Sequence, residues 1–183
     1  MSILKKSIIA SAALALPFAV SANSKLEKMM KDPGQWVQQS GDYAGHRFSN
    51  LDQINKSNVG SLKVAWTFST GVLRGHEGGP LVIGDVMYVH TAIPNIVYAL
   101  DLNDNQRIMW KYNPVKGGKY PGGETMDRVI SVMCCDNVNR GVNYHPNGTI
   151  VLHAADTSVI ALDAKTGKAV SYTHLRAHET ETN

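Results

Sequence analysis

The chain has 183 residues, with 18 Lys or Arg against 15 Asp or Glu and a formal charge of +3 at pH 7. Without Lys5 and Lys6 at its start, those counts leave +1, with no polybasic patch and no long acidic block, so a charge-driven nucleic-acid binder is excluded.

The first 22 residues, MSILKKSIIASAALALPFAVSA, join a basic start to an apolar run, Ile8 to Val20, and to the small residues Ser21 and Ala22. This predicts a bacterial-type signal peptide, 1–22, cut ahead of Asn23, and a mature chain in a compartment where disulfides persist. About 160 residues remain, enough to bury one core. No later apolar run approaches the length that a bilayer requires.

SKLEKMMKDPG then predicts a short helix, with Ser24 and Glu27 as a capping pair, Leu26, Met29 and Met30 as the packing stripe, and Pro33-Gly34 as the stop. From Trp36 onward the pattern is of short strands and turns. LKVAWTFST, Leu62 to Thr70, predicts a strand. PLVIGDVMYVHT, Pro80 to Thr91, predicts two strands around Gly84-Asp85. Ile96 to Leu102 and Arg107 to Tyr112 flank the turn Asn103 to Asn105. Asn113 to Met126 reads as a surface insertion, and Val129 to Cys135, Thr149 to Ala155 and Ser158 to Ala164 read as further strands.

An internal echo orders these pieces. Ala99-Leu100-Asp101 and Ala161-Leu162-Asp163 each close a strand-turn-strand unit and lie 62 residues apart, with the insertion between them. Such units predict four-stranded propeller blades, or another repeated antiparallel β architecture, since a small sheet cannot bury its own two faces. Asp101 and Asp163 are expected to hold turns. After Val170 the pattern stops: Ser171 to Asn183 is polar and aperiodic, and reads as a non-native or frameshifted tail on an amino-terminal fragment. HLRAHE within it sets His174 and His178 at helical ligand spacing but offers no apolar stripe to dock a helix.

MCCDNVNRG, Met133 to Gly141, contains both cysteines of the chain, side by side. They either join in a strained eight-membered ring or remain two reduced thiols at a strand end; a metal site is the weaker reading, since adjacent thiolates suit one ion poorly. Arg140 is a planar fork of donors or a surface ion-pair partner. Glu77, inside GHEGGP (Gly75 to Pro80), sits where glycines allow close backbone approach, or in a plain solvated turn.

Taken together, QINKSNVGSLKVAWTFSTGVLRGHEGGPLVIGDVMYVHT, CCDNVNRG and ALDAKTGKAV resemble the large subunits of periplasmic methanol dehydrogenases, in the family of alcohol dehydrogenases that depend on pyrroloquinoline quinone (PQQ). The resemblance runs from Trp36 to Val170, although a tryptophan expected at 171 is Ser171. It implies an all-β, eight-bladed propeller of which this chain supplies only the first blades. It implies that Cys134 and Cys135 form a disulfide against one face of PQQ, that Arg140 donates to quinone oxygen, and that Glu77 bonds at the cofactor edge. The activity implied is oxidation of methanol or another small primary alcohol, with a calcium or lanthanide ion as Lewis acid, hydride passing to the quinone and electrons leaving to a periplasmic cytochrome c. A homodimer, with or without a small subunit, is a further implication. The catalytic aspartate and the metal ligands of the family match no residue here, Asp101, Asp136, Asp156 and Asp163 included. Rival readings are a PQQ enzyme for ethanol or a larger alcohol and a cofactor-free propeller scaffold of the periplasm, which would give no reason for the cysteines and Arg140.

Overall fold

The computed structural model describes residues 23–133 and 137–175. The expected leader, residues 1–22, and residues 176–183 of the expected tail lie outside the described residues. Helix α1 (Ser24–Met30) starts one residue earlier than the capping pair suggests. Asn23 is its cap, accepting the Leu26 N–H on Oδ1 at 3.2 Å, while Leu26 is the residue it buries. Lys25 Nζ reaches the Pro146 carbonyl at 2.8 Å, which pins the helix to a distant part of the chain.

Eight strands follow as two antiparallel meanders. β1 (Leu81–Ile83), β2 (Val86–His90), β3 (Val97–Asp101) and β4 (Arg107–Tyr112) form one sheet in sequence order. β5 (Val142–His145), β6 (Thr149–His153), β7 (Ser158–Asp163) and β8 (Ala169–His174) form the other. The first strands, β1 and β5, lie beside one another, so the two sheets meet along their leading edges. This arrangement is consistent with two propeller blades.

The sequence echo is a structural repeat down to its irregularities. Ala99 pairs with Trp110 and Ala161 with Ser171, and the ladder slips by one residue after each alanine. The aspartate that follows closes the turn: Asp101 Oδ1 accepts the Asn103 N–H at 3.0 Å, and Asp163 Oδ1 accepts the Lys165 and Thr166 N–H groups at 3.1 and 2.8 Å. Hydrogen bonds from Thr166 hold the Asp163 carboxyl below the ordinary range.

Alternation places one face of each sheet in a shared core. Leu81, Tyr88, Val97 and Ala99 meet Val142, Ile150, Leu152, Ile160 and Leu162 there. Trp110 links the blades: its indole lies over Gly167, its Nε1–H donates to the Ala164 carbonyl at 3.0 Å, and Tyr88 donates to the same oxygen at 3.1 Å. A Cβ at Gly167 would come within 2.6 Å of that ring, and the residue has φ +68°, so both space and backbone demand glycine. The back of the first sheet buries Ile96, Tyr98 and Leu100 under Phe68 and Val72. Tyr98 packs edge-on to Phe68, with centroids 5.2 Å apart.

Several expectations fail for identifiable reasons. Leu62–Thr70 is no strand; Leu62, Val64 and Trp66 are exposed, and β propensity without a partner ladder does not make one. The described part of the expected strand Val129 to Cys135 is not a strand either: Met126–Val132 is helix α2, started by Thr125, whose Oγ1 accepts the Arg128 N–H at 3.2 Å, with Asp127 in its first turn. That cap and the burial of Val129 outweigh the β-branched composition. The insertion is folded in rather than draped outside, with Tyr120 buried in the core and its phenol pushed above the ordinary range by burial. β5 was not foreseen, because VNYH is too short and too polar to read as a strand. Ser171–His174, where the pattern was expected to break, continue β8, since main-chain pairing with β7 needs no particular side chain. Among the described residues no helix is long and apolar enough to cross a membrane.

The docking of Trp110 predicts an asymmetry between the repeats. Trp110→Ala lowers unfolding free energy by about 3 kcal/mol or more. Ser171→Trp changes it by less than about 0.5 kcal/mol, because Ser171 is exposed and among the described residues no turn receives the ring. Urea titrations followed by circular dichroism check both.

Candidate functional site

Glu77 and Arg140 are 63 residues apart, yet each lies just ahead of the first strand of its sheet. Because β1 and β5 are neighbours, the two side chains meet, with Arg140 Nε 3.4 Å from Glu77 Oε2. Their side chains are 78% and 48% exposed, so the pair opens to solvent. Solvent screening leaves such a pair worth little to stability, and its Nη groups take no partner among the described residues.

Arg140 borders a cleft of about 480 Å³ that Gln39, Asn95, Met133, His153 and Ala154 also line. Cys134 and Cys135, with the disulfide expected between them, lie outside the described residues, as does Asp136. Their flanks are described: Met133 lines the cleft, and Asn137 is buried, its carbonyl accepting the Ile93 N–H at 3.2 Å.

Four residues of the surround are not among the sequence candidates. Asn139 accepts the Gly141 N–H on Oδ1 at 3.0 Å and donates Nδ2 to the His153 carbonyl at 2.8 Å, which fixes the turn carrying Arg140. Gln39 packs on Gly141 and donates to the Val142 carbonyl at 3.3 Å. Asn95, at φ +67° after the cis Ile93-Pro94 bond, accepts from Ala155 N–H at 2.9 Å and from Tyr120 hydroxyl at 3.3 Å, and so ties the sheets together. His90 occupies the inward register of β2 two residues after Tyr88, is 4% exposed, and bonds through Nε2 to the Asn139 carbonyl at 2.9 Å. A polar residue at a core position of a period-2 strand was the signal that could have revealed it.

Burial, with a smaller contribution from His76, lowers the His90 pKa below its ordinary 6.5, against the opposing hydrogen bond to Asn139. Asp156 is committed elsewhere: buried, it accepts the Gly122 N–H at 2.9 Å, the Ser158 N–H at 3.1 Å and the Ser158 hydroxyl at 2.7 Å. Among the described residues no group of three or more His, Cys, Asp or Glu converges. The arrangement suits a planar anion: a donor fork beside a carboxylate, at the mouth of a cleft, with no metal cage beside them among the described residues.

Two β-meanders sharing a core, with a cation and a carboxylate meeting ahead of their first strands, are consistent with neighbouring blades of a propeller. Residues 36–172 match the family described as "PQQ: Glucose/ethanol/alcohol dehydrogenase, beta-propeller domain", and the chain belongs to that family. It is 55% identical over 157 residues to the lanthanide-dependent methanol dehydrogenase of Methylorubrum extorquens, covering 86% of this chain and 24% of that protein. To subunit 1 of the methanol dehydrogenase [cytochrome c] of Paracoccus denitrificans it is 43% identical, over 81% of this chain and 23% of that one. Among solved structures it is similar to a europium-containing methanol dehydrogenase, with a TM-score of 0.75 and 50% identity over 84% of this chain and 25% of the other. The chain thus spans about a quarter of the length of these relatives.

Two outcomes follow. In a double-mutant cycle, Glu77→Gln and Arg140→Ala couple by less than about 1 kcal/mol in urea unfolding, since the pair is solvated. His90 is neutral in the fold, so its contribution is complete above its unfolded pKa of 6.5 and is lost as pH falls through the lower folded value. The stability lost between pH 7.5 and pH 5 is therefore larger for the parent than for His90→Gln.

Proposed function

We propose that the chain is the amino-terminal part of an eight-bladed, PQQ-dependent dehydrogenase that oxidises methanol or a similar small primary alcohol to the aldehyde in the periplasm and passes electrons to a cytochrome c. The observation that carries this reading is the meeting of Glu77 and Arg140 across the junction of two sheets, beside the cleft that Met133 lines. The higher identity to the lanthanide-dependent relative than to the cytochrome c-linked one favours a lanthanide over calcium as the metal of the whole enzyme. In this reading residues 1–22 are a leader, 23–170 the first blades, and 171–183 a foreign tail whose first residues extend β8 through main-chain pairing.

The residues present fit PQQ, a flat tricycle bearing carboxylates and an ortho-quinone. When bound, the group supplies an electrophilic carbonyl that accepts hydride, polarised by a metal ion. Arg140 would offer its guanidinium to the quinone oxygens and so stabilise negative charge on them. Glu77 would accept a hydrogen bond at the edge of the ring. Cys134 and Cys135, joined, form a stiff apolar face beneath the ring, so less ordering remains when substrate arrives. The catalytic aspartate and the metal ligands belong to the part of the relatives that this chain does not cover, so the 183-residue chain binds cofactor without turning over.

Equilibrium dialysis against PQQ gives an affinity for this chain that Arg140→Ala weakens at least tenfold, or about 1.4 kcal/mol. Intact mass with and without reductant shows Cys134 and Cys135 gaining two hydrogens. Dye-linked methanol oxidation is absent from the chain and present once it is continued by the remaining three quarters of the lanthanide-dependent relative. Turnover by the chain alone, or an unchanged affinity in Arg140→Ala, overturns the corresponding part of the proposal.

A further inference from the structure

The exposed ion pair cannot hold its own geometry. At 3.4 Å between flexible side chains that are 78% and 48% exposed, solvent competes with it, so the distance between Glu77 and Arg140 is set by the backbones beneath. One side chain touches both backbones. Gly78, next to Glu77, lies so close to the His90 ring that a Cβ there would fall 2.3 Å from Cε1, 2.4 Å from Nε2 and 2.8 Å from the carbonyl carbon of Arg140. The same Nε2 contacts the Asn139 carbonyl at 2.9 Å, one residue before Arg140.

A carbonyl only accepts, so Nε2 carries the proton and Nδ1 is left with a lone pair. That Nδ1 is buried with no hydrogen-bond partner. A phenylalanine would fill the same space without an orphaned acceptor, and core packing alone would favour it. What imidazole adds is a single directed N–H. The turn that receives this N–H is already fixed to its own sheet through Asn139, whose Nδ2 donates to the His153 carbonyl and whose Oδ1 accepts the Gly141 N–H. The His90 bond therefore joins a turn that is rigid on the second sheet to the segment carrying Glu77 on the first.

We infer that His90 is a positioning residue of the cofactor site: wedged against Gly78 and bonded to the Asn139 carbonyl, it sets the separation of Glu77 and Arg140 and so the fit of the pair to a planar anionic quinone. The inference rests on the PQQ reading for its functional meaning, and on geometry alone for the clamp. His90 touches neither ring nor substrate in this scheme and acts through the two residues that do.

The test uses the 183-residue chain with His90→Phe, which keeps the volume and removes the donor, and His90→Gln, whose amide nitrogen reaches the Nε2 position. In the parent, imidazole nitrogen NMR at pH 7.5 shows His90 as the Nε2–H form. Amide hydrogen exchange at Arg140 and Gly141 quickens at least tenfold in His90→Phe and stays within threefold of the parent in His90→Gln. PQQ affinity, by dialysis, follows the same order, with a tenfold loss in the first variant and recovery in the second. An Nδ1–H or doubly protonated ring, or exchange in His90→Phe equal to the parent, overturns the clamp. Altered exchange with unchanged PQQ affinity overturns the positioning role. If the parent binds no PQQ, the cofactor reading fails by itself, while exchange and tautomer still decide the clamp. Should His90→Phe fail to fold, the tautomer and the His90→Gln values decide it.

Discussion

Trp110 resting on Gly167 is the contact from which the rest of the molecule takes its geometry. A four-stranded meander is too small to bury a face alone, and here two of them solve the problem by sharing one core. The indole sets the angle and spacing of that shared face: it needs a residue without a side chain opposite, a backbone at positive φ, and a carbonyl in reach of its N–H, and the turn Ala164 to Gly167 supplies all three. Asp163 holds that turn by gathering the N–H groups of Lys165 and Thr166, so the receptor for the indole has hydrogen bonds of its own. The second repeat carries the same ladder slip and the same aspartate, but Ser171 stands where the first has Trp110.

Once the sheets are set face to face, the site is largely a consequence. β1 and β5 become neighbours, and whatever precedes them comes together. Glu77 and Arg140 meet for that reason, with no strong attraction of their own. Precision is then supplied from below by buried polar groups, Asn95, Asn139, His90 and Gln39, each bridging elements distant in sequence. Such groups are costly to bury unless bonded, so their partners are strictly placed, and that strictness passes to the residues above them. The unsatisfied His90 Nδ1 shows a core that gives up some stability for a directed bond.

The division of labour suits a protein that spans about a quarter of its relatives. Two blades hold a donor fork and a carboxylate with no metal cage beside them among the described residues. Asp101 and Asp163 are occupied in turns and Asp156 in buried hydrogen bonds.

The sequence by itself determined the repeat. Period-2 apolar residues, the Ala-Leu-Asp motif and the turn residues after it are local signals, and six of the eight strands lie where those signals are densest. It also offered Glu77 and Arg140 as candidates with plain surface roles left open, and likeness to a family supplied the cofactor roles expected of them. Only the tertiary structure decided what depended on partners distant in the chain. Leu62 to Thr70 has strand composition and no ladder, Met126 to Val132 has strand composition and a helix cap, and Ser171 to His174 has neither apolar period nor aromatic anchor yet completes β8. The buried set of Gln39, His90, Asn95 and Asn139 belongs to the same group. A polar side chain shows its role only when its hydrogen-bond partner is known, and here the partners lie 49 to 103 residues away for His90 and Gln39.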